Sequence, residues 1–324
     1  MNIIVVYPAA FVSAALASAA SLPLWRRWCR QSGVIDEPGH RKIHASPIPL
    51  AGGLAVMTGL LVPLLAGAVA AFSYSRSGVA GLFEYGLSVR ATQLLGILAG
   101  ALGMLLIGLR DDQVELRPAA KFGGQLLVAL IVAATGVRIT LFVPSLLFHY
   151  CITALWILAV VNAFNFMDNM NGLCAGLGAI GAAWFGLMAA TQGQYLVGAI
   201  SFLTAGALTG FLPFNFPRAS VFLGDAGSHL TGFLLAVLAI LPHYYTAHHR
   251  KPLAVLTPLL VLAVPLGDLV WVVLLRWRRG RPFYVGDTNH LSHRLVRRNL
   301  TPARAVILIW ALAGLAGALA FLLQ

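Results

Sequence analysis

The sequence predicts an all-α protein that crosses a membrane many times. Hydrophobic residues make up 59% of the 324 residues and charged residues only 10%, with a mean hydropathy of +0.85. Soluble domains carry about 25% charged residues, so this chain has too little polar surface to dissolve in water. Its apolar runs are close to the ~20 residues that a membrane-spanning helix needs. The composition therefore excludes an ordinary soluble domain.

Ten apolar segments are predicted as spans of one bundle. Long runs at Asn2–Leu24, Ala91–Leu109 and Leu253–Leu275 define the first, third and ninth. Pro118 suits the first turn of the fourth helix, and Ser228 suits the cap of the eighth, which is short and needs help from its neighbours. Because no composition shift divides the chain, residues 1–324 are predicted to form a single domain. The spans are 2–24, 49–72, 91–109, 119–137, 145–164, 173–191, 195–213, 228–242, 253–275 and 303–323.

Charge predicts the orientation of these spans. The first segment ends in ALASAAS, which resembles a signal-peptide cleavage site, but its basic cluster WRRWCR follows the apolar run and does not precede it. We therefore predict an uncleaved first helix with both termini of the chain outside. Seventeen of the 22 basic residues then fall on the inner side, as the positive-inside rule expects. The net charge of +12 is explained by this bias and by attraction to membrane lipids, so no nucleic-acid partner is predicted.

The acidic residues are also concentrated on the predicted inner side. Of the ten, only Glu84 is predicted outside, and Asp268 lies within the ninth span in its inner half. The positive-inside rule does not demand this distribution of acids. We therefore expect several of them to converge on one face of the membrane.

Asp111 and Asp112 end the third span, where two carboxylates repel each other and oppose the helix dipole. One interpretation is a salt bridge to Arg110, Arg117 or Lys121. The other is a Mg²⁺ site, since hard divalent cations take carboxylate oxygens. Lys121 lies in the first turn of the next helix, where a cation is unfavourable unless an anion is nearby.

A further acid, Asp225, lies in the motif VFLGDAGS. Gly224 and Gly227 allow tight turning of the backbone around it. An acid beside a helix start either caps that helix or helps to hold a metal–phosphate group there. Both interpretations remain open from the sequence.

The motif NAFNFMDNMNG sets four asparagines around Asp168 between the fifth and sixth spans. Amides donate and accept hydrogen bonds, which suits the recognition of a base or sugar better than the binding of a metal. The asparagines of this motif are therefore candidate contacts for a base or sugar. The alternative is a polar connector that solvates the helix ends.

His290 and His293 are three residues apart in the last inner loop, so on a helix they would share a face, with Arg294 and Arg297 nearby. Such a cluster suits phosphate groups. Zinc is a weaker alternative, because no cysteine or third histidine accompanies the pair. The third interpretation is that both histidines lie on the surface and have no role.

Together these motifs resemble the polyprenyl-phosphate N-acetylhexosamine 1-phosphate transferase family. Its members move a sugar 1-phosphate from a UDP-sugar onto undecaprenyl or dolichyl phosphate, and its bacterial wall-precursor branch has ten spans with both termini outside. The resemblance implies a Mg²⁺-dependent enzyme, with Mn²⁺ as an alternative metal. It also implies a cytoplasmic active site in the bacterial inner membrane and a first membrane step of a cell-envelope glycan. The motifs are RKIHASPIPLAGG (41–53), DDQVELRPAAK (111–121), NAFNFMDNMNG (162–172), VFLGDAGS (221–228) and DTNHLSHRL (287–295).

The resemblance further implies roles for individual residues. The implied metal ligands are Asp225, Asp111 and Asp112. The catalytic set, in which Asp111 or Asp112 orients or deprotonates the lipid phosphate, is Asp111, Asp112, Lys121, His290 and His293. The substrate contacts are Asn165, Asp168, Asn171, Arg294, Lys42 and His44.

Two departures from the family pattern bear on the sugar. The family usually reads D-G-x-D-G, whereas this chain reads DNMNG at 168–172, so Asn171 replaces the second aspartate. The histidine motif lacks the run of three histidines found in the phospho-N-acetylmuramoyl-pentapeptide branch, and the first loop resembles the N-acetylglucosamine-transferring branch. Transfer of phospho-N-acetylmuramoyl-pentapeptide remains an alternative, as does a secondary transporter built around Asp268, Pro258 and Pro265. The oligomeric state is left open, with a homodimer among the alternatives.

Overall fold

The predicted all-α membrane bundle is confirmed. The computed structural model describes residues 3–38, 46–73, 80–141, 143–242, 244, 252–282, 284 and 287–324. The helices within these residues are α1 (Ile3–Ser32), α2 (Gly52–Ser73), α3 (Ala80–Val114), α4 (Pro118–Ala134), α5 (Leu146–Met167), α6 (Leu173–Thr191), α7 (Tyr195–Phe211), α8 (Gly224–Ile240), α9 (Thr257–Val261), α10 (Ala263–Arg278), α11 (Leu291–Arg297) and α12 (Pro302–Leu322).

Each of the ten predicted spans coincides with a helix or with one bent pair of helices. In the described part of the chain, seven helices are long and apolar enough to cross a membrane, and α9 with α10 would make an eighth if the pair counts as one span. The helices α4 and α8 are apolar but have only 17 residues each. The number of spans that cross the membrane and the side of the termini stay predictions.

The ninth predicted span, 253–275, is wrong as a single straight helix. The chain forms a 3₁₀ turn at Pro252–Leu256 and then α9, and the helix breaks at Leu262. The direction of α10 differs by 73° from that of the segment before the break. Pro265 has no N–H to donate to the Val261 carbonyl, and its ring crowds that carbonyl, which weakens a helix at Leu262 and favours a break there. The break turns α10, which carries Asp268, away from the direction of α9.

The short helix α8 lies at the centre of the bundle. It is buried along almost its whole length and packs mainly against α3 and α5, with α2 and α6 also in contact. A helix that is apolar all round is typical of such a position, which explains how so short a segment is stabilised. Glycines let its neighbours approach closely: a Cβ on Gly53 would lie 2.5 Å from the Gly227 amide nitrogen, and one on Gly108 would clash with the Asp225 carbonyl.

The start of α8 is tied to the start of α2. A two-residue strand β1 (Ile35–Asp36) pairs antiparallel with β2 (Ile48–Pro49). The Pro49 carbonyl accepts from the Phe222 amide, and the Phe222 carbonyl in turn accepts from the Gly52 amide, both at 3.0 Å. Lys42 and His44, predicted to contribute from the same loop, lie outside the described residues.

Candidate active site

Lys121 joins acids from separate helices at one end of the bundle. Its ammonium nitrogen lies 2.6 Å from Asp111 Oδ2, 3.0 Å from Asp225 Oδ2 and 3.4 Å from Asn165 Oδ1. These side chains come from α4, α3, α8 and α5, and together with Asp112 we call them the lysine centre. Lys121 was one of the partners considered for the aspartate pair, and it does contact Asp111. The nearby Asp111 and Asp225 also explain why a cation lies in the first turn of α4.

Asn165 holds the oxygen of the Asp225 carboxylate that Lys121 does not contact. Its Nδ2 donates to Asp225 Oδ1 at 2.6 Å and to Ser228 Oγ at 3.1 Å. The Ser228 hydroxyl in turn donates to the Asp225 carbonyl at 3.3 Å. Both oxygens of Asp225 therefore have a partner, and the amide of Asn165 acts within the centre.

Asp112 caps α8 from a different helix. Its Oδ1 accepts from the Asp225 amide at 2.7 Å and its Oδ2 from the Ala226 amide at 3.0 Å, which satisfies two unpaired donors at the helix start. Gly224 has φ of +75°, and a Cβ there would lie 2.7 Å from Asp112 Oδ2. The predictions that Ser228 or Asp225 caps α8 are wrong, because the helix begins at Gly224 and a carboxylate from α3 already satisfies its amides.

Asp168 follows α5 and faces the lysine centre without a partner of its own. Its carboxylate makes no hydrogen bond to any residue that the structure describes. Removal from water raises the pKa of Asp168 well above its usual range, and the negative charges of Asp225 and Asp112 raise it further. An unpaired acid beside other acids is a candidate ligand for a cation.

The donor set fits a hard divalent cation. Four carboxylates, those of Asp111, Asp112, Asp168 and Asp225, accompany one ammonium, and carboxylate oxygens are the ligands that Mg²⁺ takes in proteins. Both oxygens of Asp112 are bonded to backbone amides at the start of α8. One oxygen each of Asp111 and Asp225 is instead bonded to the Lys121 side chain, which a cation could replace, so these two acids and Asp168 are the better candidate ligands. In the described ranges no three acidic, histidine or cysteine side chains already form a metal-binding group, and Lys121 lies between Asp111 and Asp225.

The polar loop after α5 is tied to two other segments. Asn169 Oδ1 accepts from the Ser292 hydroxyl at 2.6 Å, and Asn171 Nδ2 donates to the Pro217 carbonyl at 3.3 Å. An aspartate at 171 would have no N–H for that carbonyl. The contact gives this chain a use for an amide at the position where the family pattern has an acid.

The residues 287–297, which we call the histidine segment, form a second group. His290 Nδ1 lies 2.7 Å from Asp268 Oδ2, and His293 is next to it with ring centroids 6.2 Å apart. The prediction that both histidines share a helix face is wrong, because His290 has an extended backbone and precedes α11. Desolvation lowers the pKa of His293, and the positive charge of Arg297 lowers it further, which favours its neutral form.

Two arginines stabilise the same region. Arg276 Nε donates to Asp287 Oδ2 at 3.1 Å and its guanidinium lies 4.9 Å from the centroid of the Phe166 ring. Partial burial of Asp287 opposes ionisation, but the Arg276 contact and the Asn289 amide prevail and bring its pKa to about 2. Arg294, a predicted phosphate contact, stacks on Trp271 with its guanidinium carbon 4.7 Å from the ring centroid.

The last turn of α5 joins the two groups. Asn165 belongs to the lysine centre, and the next residue, Phe166, meets the His290 ring edge-on at 5.4 Å between centroids. The structure thus gathers Asp111, Asp112, Lys121, Asn165 and Asp225 in one group with Asp168 beside it. It gathers His290, His293 and Arg294 in the other.

Several polar residues of the site were not predicted from the sequence. Gln125 accepts from Asn162 Nδ2 at 2.8 Å, and His229 Nδ1 lies 2.6 Å from the Asp225 carbonyl. Gln125 and His229 each stand four residues after a predicted site residue, so helical spacing could have indicated them. The sequence connects Asp268 only with a transporter, and nothing local in it links this acid to His290.

Comparison with known proteins supports an assignment for this site. Residues 94–243 match the family described as glycosyl transferase family 4. A probable undecaprenyl-phosphate N-acetylglucosaminyl 1-phosphate transferase of Bacillus subtilis is 29% identical, covering 93% of this chain and 80% of the relative. A decaprenyl-phosphate N-acetylglucosaminephosphotransferase of Mycobacterium tuberculosis is 34% identical, covering 87% and 74%. An undecaprenyl-phosphate alpha-N-acetylglucosaminyl 1-phosphate transferase of Escherichia coli is 27% identical, covering 92% and 79%.

Proposed function

Since the chain belongs to the polyprenyl-phosphate N-acetylhexosamine 1-phosphate transferase family, we propose that it moves N-acetylglucosamine 1-phosphate from a UDP-sugar to undecaprenyl phosphate and releases UMP. The observation that carries the proposal is the lysine centre, where the ammonium of Lys121 on α4 is held between acids from α3 and α8. Such a group suits a reaction between two phosphates at a membrane surface. The names of the three relatives support both the sugar and the polyprenyl acceptor.

In the proposed reaction an oxygen of the lipid phosphate attacks the phosphorus attached to the sugar. The bond from that phosphorus to the bridging oxygen breaks, and UMP leaves with the oxygen, so no covalent enzyme intermediate is required. Lys121 would bind phosphate oxygens as negative charge shifts to the leaving group. Asp111 is the better candidate to orient the lipid phosphate, because both oxygens of Asp112 are bonded to α8 amides, whereas one oxygen of Asp111 is bonded to the movable side chain of Lys121.

We propose Mg²⁺ as the cofactor, with Mn²⁺ as an alternative. Asp225, Asp111 and Asp168 would hold it, and when bound it would neutralise charge on the pyrophosphate of the donor. Among the described residues of the site, carboxylates outnumber the ammonium of Lys121 and the carboxylate of Asp168 is unpaired, and both observations support this proposal.

The proposed site opens to the cytoplasm of a bacterial inner membrane. The distribution of Lys and Arg supports this side, since the loops that carry the lysine centre and the histidine segment are the basic ones. A cytoplasmic site would also give a water-soluble UDP-sugar direct access from the compartment that supplies it.

The alternatives are not favoured. A transporter would need Asp268 available for its substrate or coupling ion, but Asp268 is bonded to His290 and to the Leu291 amide. Transfer of phospho-N-acetylmuramoyl-pentapeptide has no counterpart among the names of the relatives above.

The test is UMP release by purified protein in detergent, given undecaprenyl phosphate, Mg²⁺ and UDP-N-acetylglucosamine. We expect release that needs the lipid and the metal and that falls at least ~100-fold in Asp225→Asn. Glu115→Gln, an exposed acid at the same end of the bundle, is the matched control and should stay within about twofold of wild type. Absence of release with every UDP-sugar, in protein shown to be folded, would overturn the proposal.

A further inference from the structure

Asp268 is a buried acid in a membrane helix, and both of its oxygens are used by the histidine segment. The residue is 4% exposed and lies in α10, beyond the break at Leu262. Its Oδ2 lies 2.7 Å from His290 Nδ1, and its Oδ1 accepts from the Leu291 amide at 2.6 Å. An acid in such a helix is costly unless it is paired. These two contacts to consecutive residues supply the pairing.

The first contact determines which nitrogen of His290 carries a proton. An ionised carboxylate only accepts hydrogen bonds, so Nδ1 must be the donor and must be protonated. Nε2 is then the nitrogen left for a ligand, and no residue in the described ranges bonds to it. The residue is 5% exposed and its ring is held edge-on to Phe166, so the orientation of the ring is fixed from two sides.

The second contact holds the position of the whole segment. Leu291 provides the first amide of α11, so Asp268 caps this helix from α10, as Asp112 caps α8 from α3. Ser292, which is fully buried, bonds to Asn169 in the polar loop beside the lysine centre. Arg276, also on α10, pairs with Asp287 at the start of the segment. Through these contacts α10 fixes the position and orientation of His290 relative to Asn169.

We propose that Asp268 is a positioning residue for the transfer reaction: it fixes His290 as the Nδ1–H tautomer, so that the Nε2 lone pair can accept a proton from a phosphate group of the substrates. The phosphate is that of the lipid, a monoester whose second pKa of about 6 leaves it a proton to give, whereas the diphosphate of the donor is fully ionised. The inference rests on the proposed function only for this last step. The tautomer and the cap are properties of the protein without substrate.

The decisive variant is Asp268→Asn, which keeps an oxygen for the Leu291 amide but offers His290 an N–H in place of a carboxylate oxygen. Nδ1 must then accept, so the proton of the neutral ring moves to Nε2. An analogous replacement in the Ser-His-Asp triad of serine proteases costs about 10⁴-fold in kcat, because the histidine there adopts the wrong tautomer. We expect a loss of at least ~100-fold in kcat here, with a small change in KM and in thermal stability.

The coupling is tested by a double-mutant cycle on UMP release. If Asp268 acts through His290, Asp268→Asn should cause little further loss in a His290→Ala background. Losses that multiply would show that Asp268 supports the fold independently of His290, and would overturn the proposal.

The tautomer is tested without any activity measurement. Side-chain ¹⁵N spectra of histidine-labelled protein, with the His290 signals assigned by their loss in His290→Gln, should show a protonated Nδ1 in the wild type. They should show a protonated Nε2 in Asp268→Asn, whereas the control Asp287→Asn, which removes a neighbouring acid, should leave Nδ1 protonated. A wild-type His290 protonated at Nε2 alone overturns the proposal even if no variant folds. A correct tautomer in protein that never releases UMP would instead count against the proposed function and the substrate step that rests on it.

Discussion

Lys121 is the side chain whose removal should do most to disperse the lysine centre. Its ammonium is shared by Asp111 and Asp225, which have no other basic partner among the described residues. Lys121→Met keeps the length of the side chain and removes the charge, so the acids would repel one another and the phosphates would lose a contact. We expect UMP release to fall roughly 100- to 1000-fold.

The control for this variant is Arg117→Met, which removes an exposed charge four residues earlier. It should change the rate less than about twofold, because surface charges away from a site contribute little. Equal losses in the two variants would mean that basic charge at this end of the bundle matters only in general, and would contradict the specific role of Lys121.

Asp168, which lies beside the lysine centre, should reduce the stability of the folded protein when its carboxylate is ionised. Its pKa is raised in the folded protein, above the value of about 3.9 of an unfolded chain. Ionisation therefore opposes folding above pH ~4, whereas below that value the acid is protonated in both states and has no effect. We expect Asp168→Asn to raise the unfolding temperature at pH 8 in metal-free detergent, with a gain that shrinks as the pH is lowered towards ~4.

This gain is measured by thermal unfolding across that pH range, with Glu115→Gln as the control that should show none. The same Asp168→Asn protein should lose activity, since it no longer offers a carboxylate to a cation. A loss of stability at pH 8 would mean that the ionised acid has a stabilising partner, and would contradict this assignment.

At this scale the sequence indicated the reactive side chains, and Lys121 as one possible partner of the aspartate pair, but not the partners that are distant in sequence. Asp111, Asp112, Lys121, Asp168 and Asp225 were all predicted from the clustering of charge and from the resemblance. Asp112 and Asp225 are 113 residues apart, so nothing local could show that one caps the helix of the other. The pairing of Asp268 with His290 was hidden for the same reason.

Among the elements, α8 depends most on one residue at its start. Gly224 has φ of +75°, and a Cβ there would lie 2.7 Å from Asp112 Oδ2. Gly224→Ala would therefore strain the backbone and displace the carboxylate that caps the helix. We expect a loss of about 1–3 kcal/mol in stability and a loss of UMP release.

Gly123→Ala is the matched glycine variant. Gly123 is inside α4, and a Cβ added there would meet no atom within 4 Å. Because alanine is the better helix former, this variant should be as stable as wild type or slightly more so. Thermal unfolding of the two variants separates a local requirement at Gly224 from a general sensitivity of the helices. A Gly224→Ala protein as stable as Gly123→Ala would contradict the cap assignment.

The ninth span shows what hydropathy misses about an element. The run Leu253–Leu275 is apolar along its length, so its composition predicts one helix, yet the chain turns at Leu262. Average hydropathy contains no information about direction. The signal was in Pro265, whose effect on the Val261 carbonyl depends on a single missing N–H.

For the molecule as a whole, orientation in the membrane is the main prediction that the fold leaves open. Thr191 and Arg298 are both exposed and are predicted on opposite sides of the membrane. In a Cys151→Ser background, where the remaining Cys29 and Cys174 are buried, a cysteine at either position gives one accessible thiol. We expect a membrane-impermeant maleimide to label Thr191→Cys in intact bacterial cells, and Arg298→Cys only after the membrane is opened.

The background protein without an added cysteine should remain unlabelled in both conditions. The reverse pattern would put the lysine centre outside the cytoplasm and would contradict the proposed access of the UDP-sugar. The positive-inside rule makes the expected pattern the favoured one, because seventeen of the 22 basic residues lie on one predicted side.

Gly53, Gly108 and Gly232 bring three different helices against the backbone of α8 with no side chain between them. Rotating α8 or sliding it along its axis would drive main-chain atoms into each other, so Asp225 inherits its position from contacts that contain no functional group. These glycines should therefore tolerate substitution poorly, although they carry no functional group. Lipid-facing leucines should tolerate replacement by other apolar residues. Any side chain larger than a hydrogen atom at one of the three glycines should instead displace Asp225.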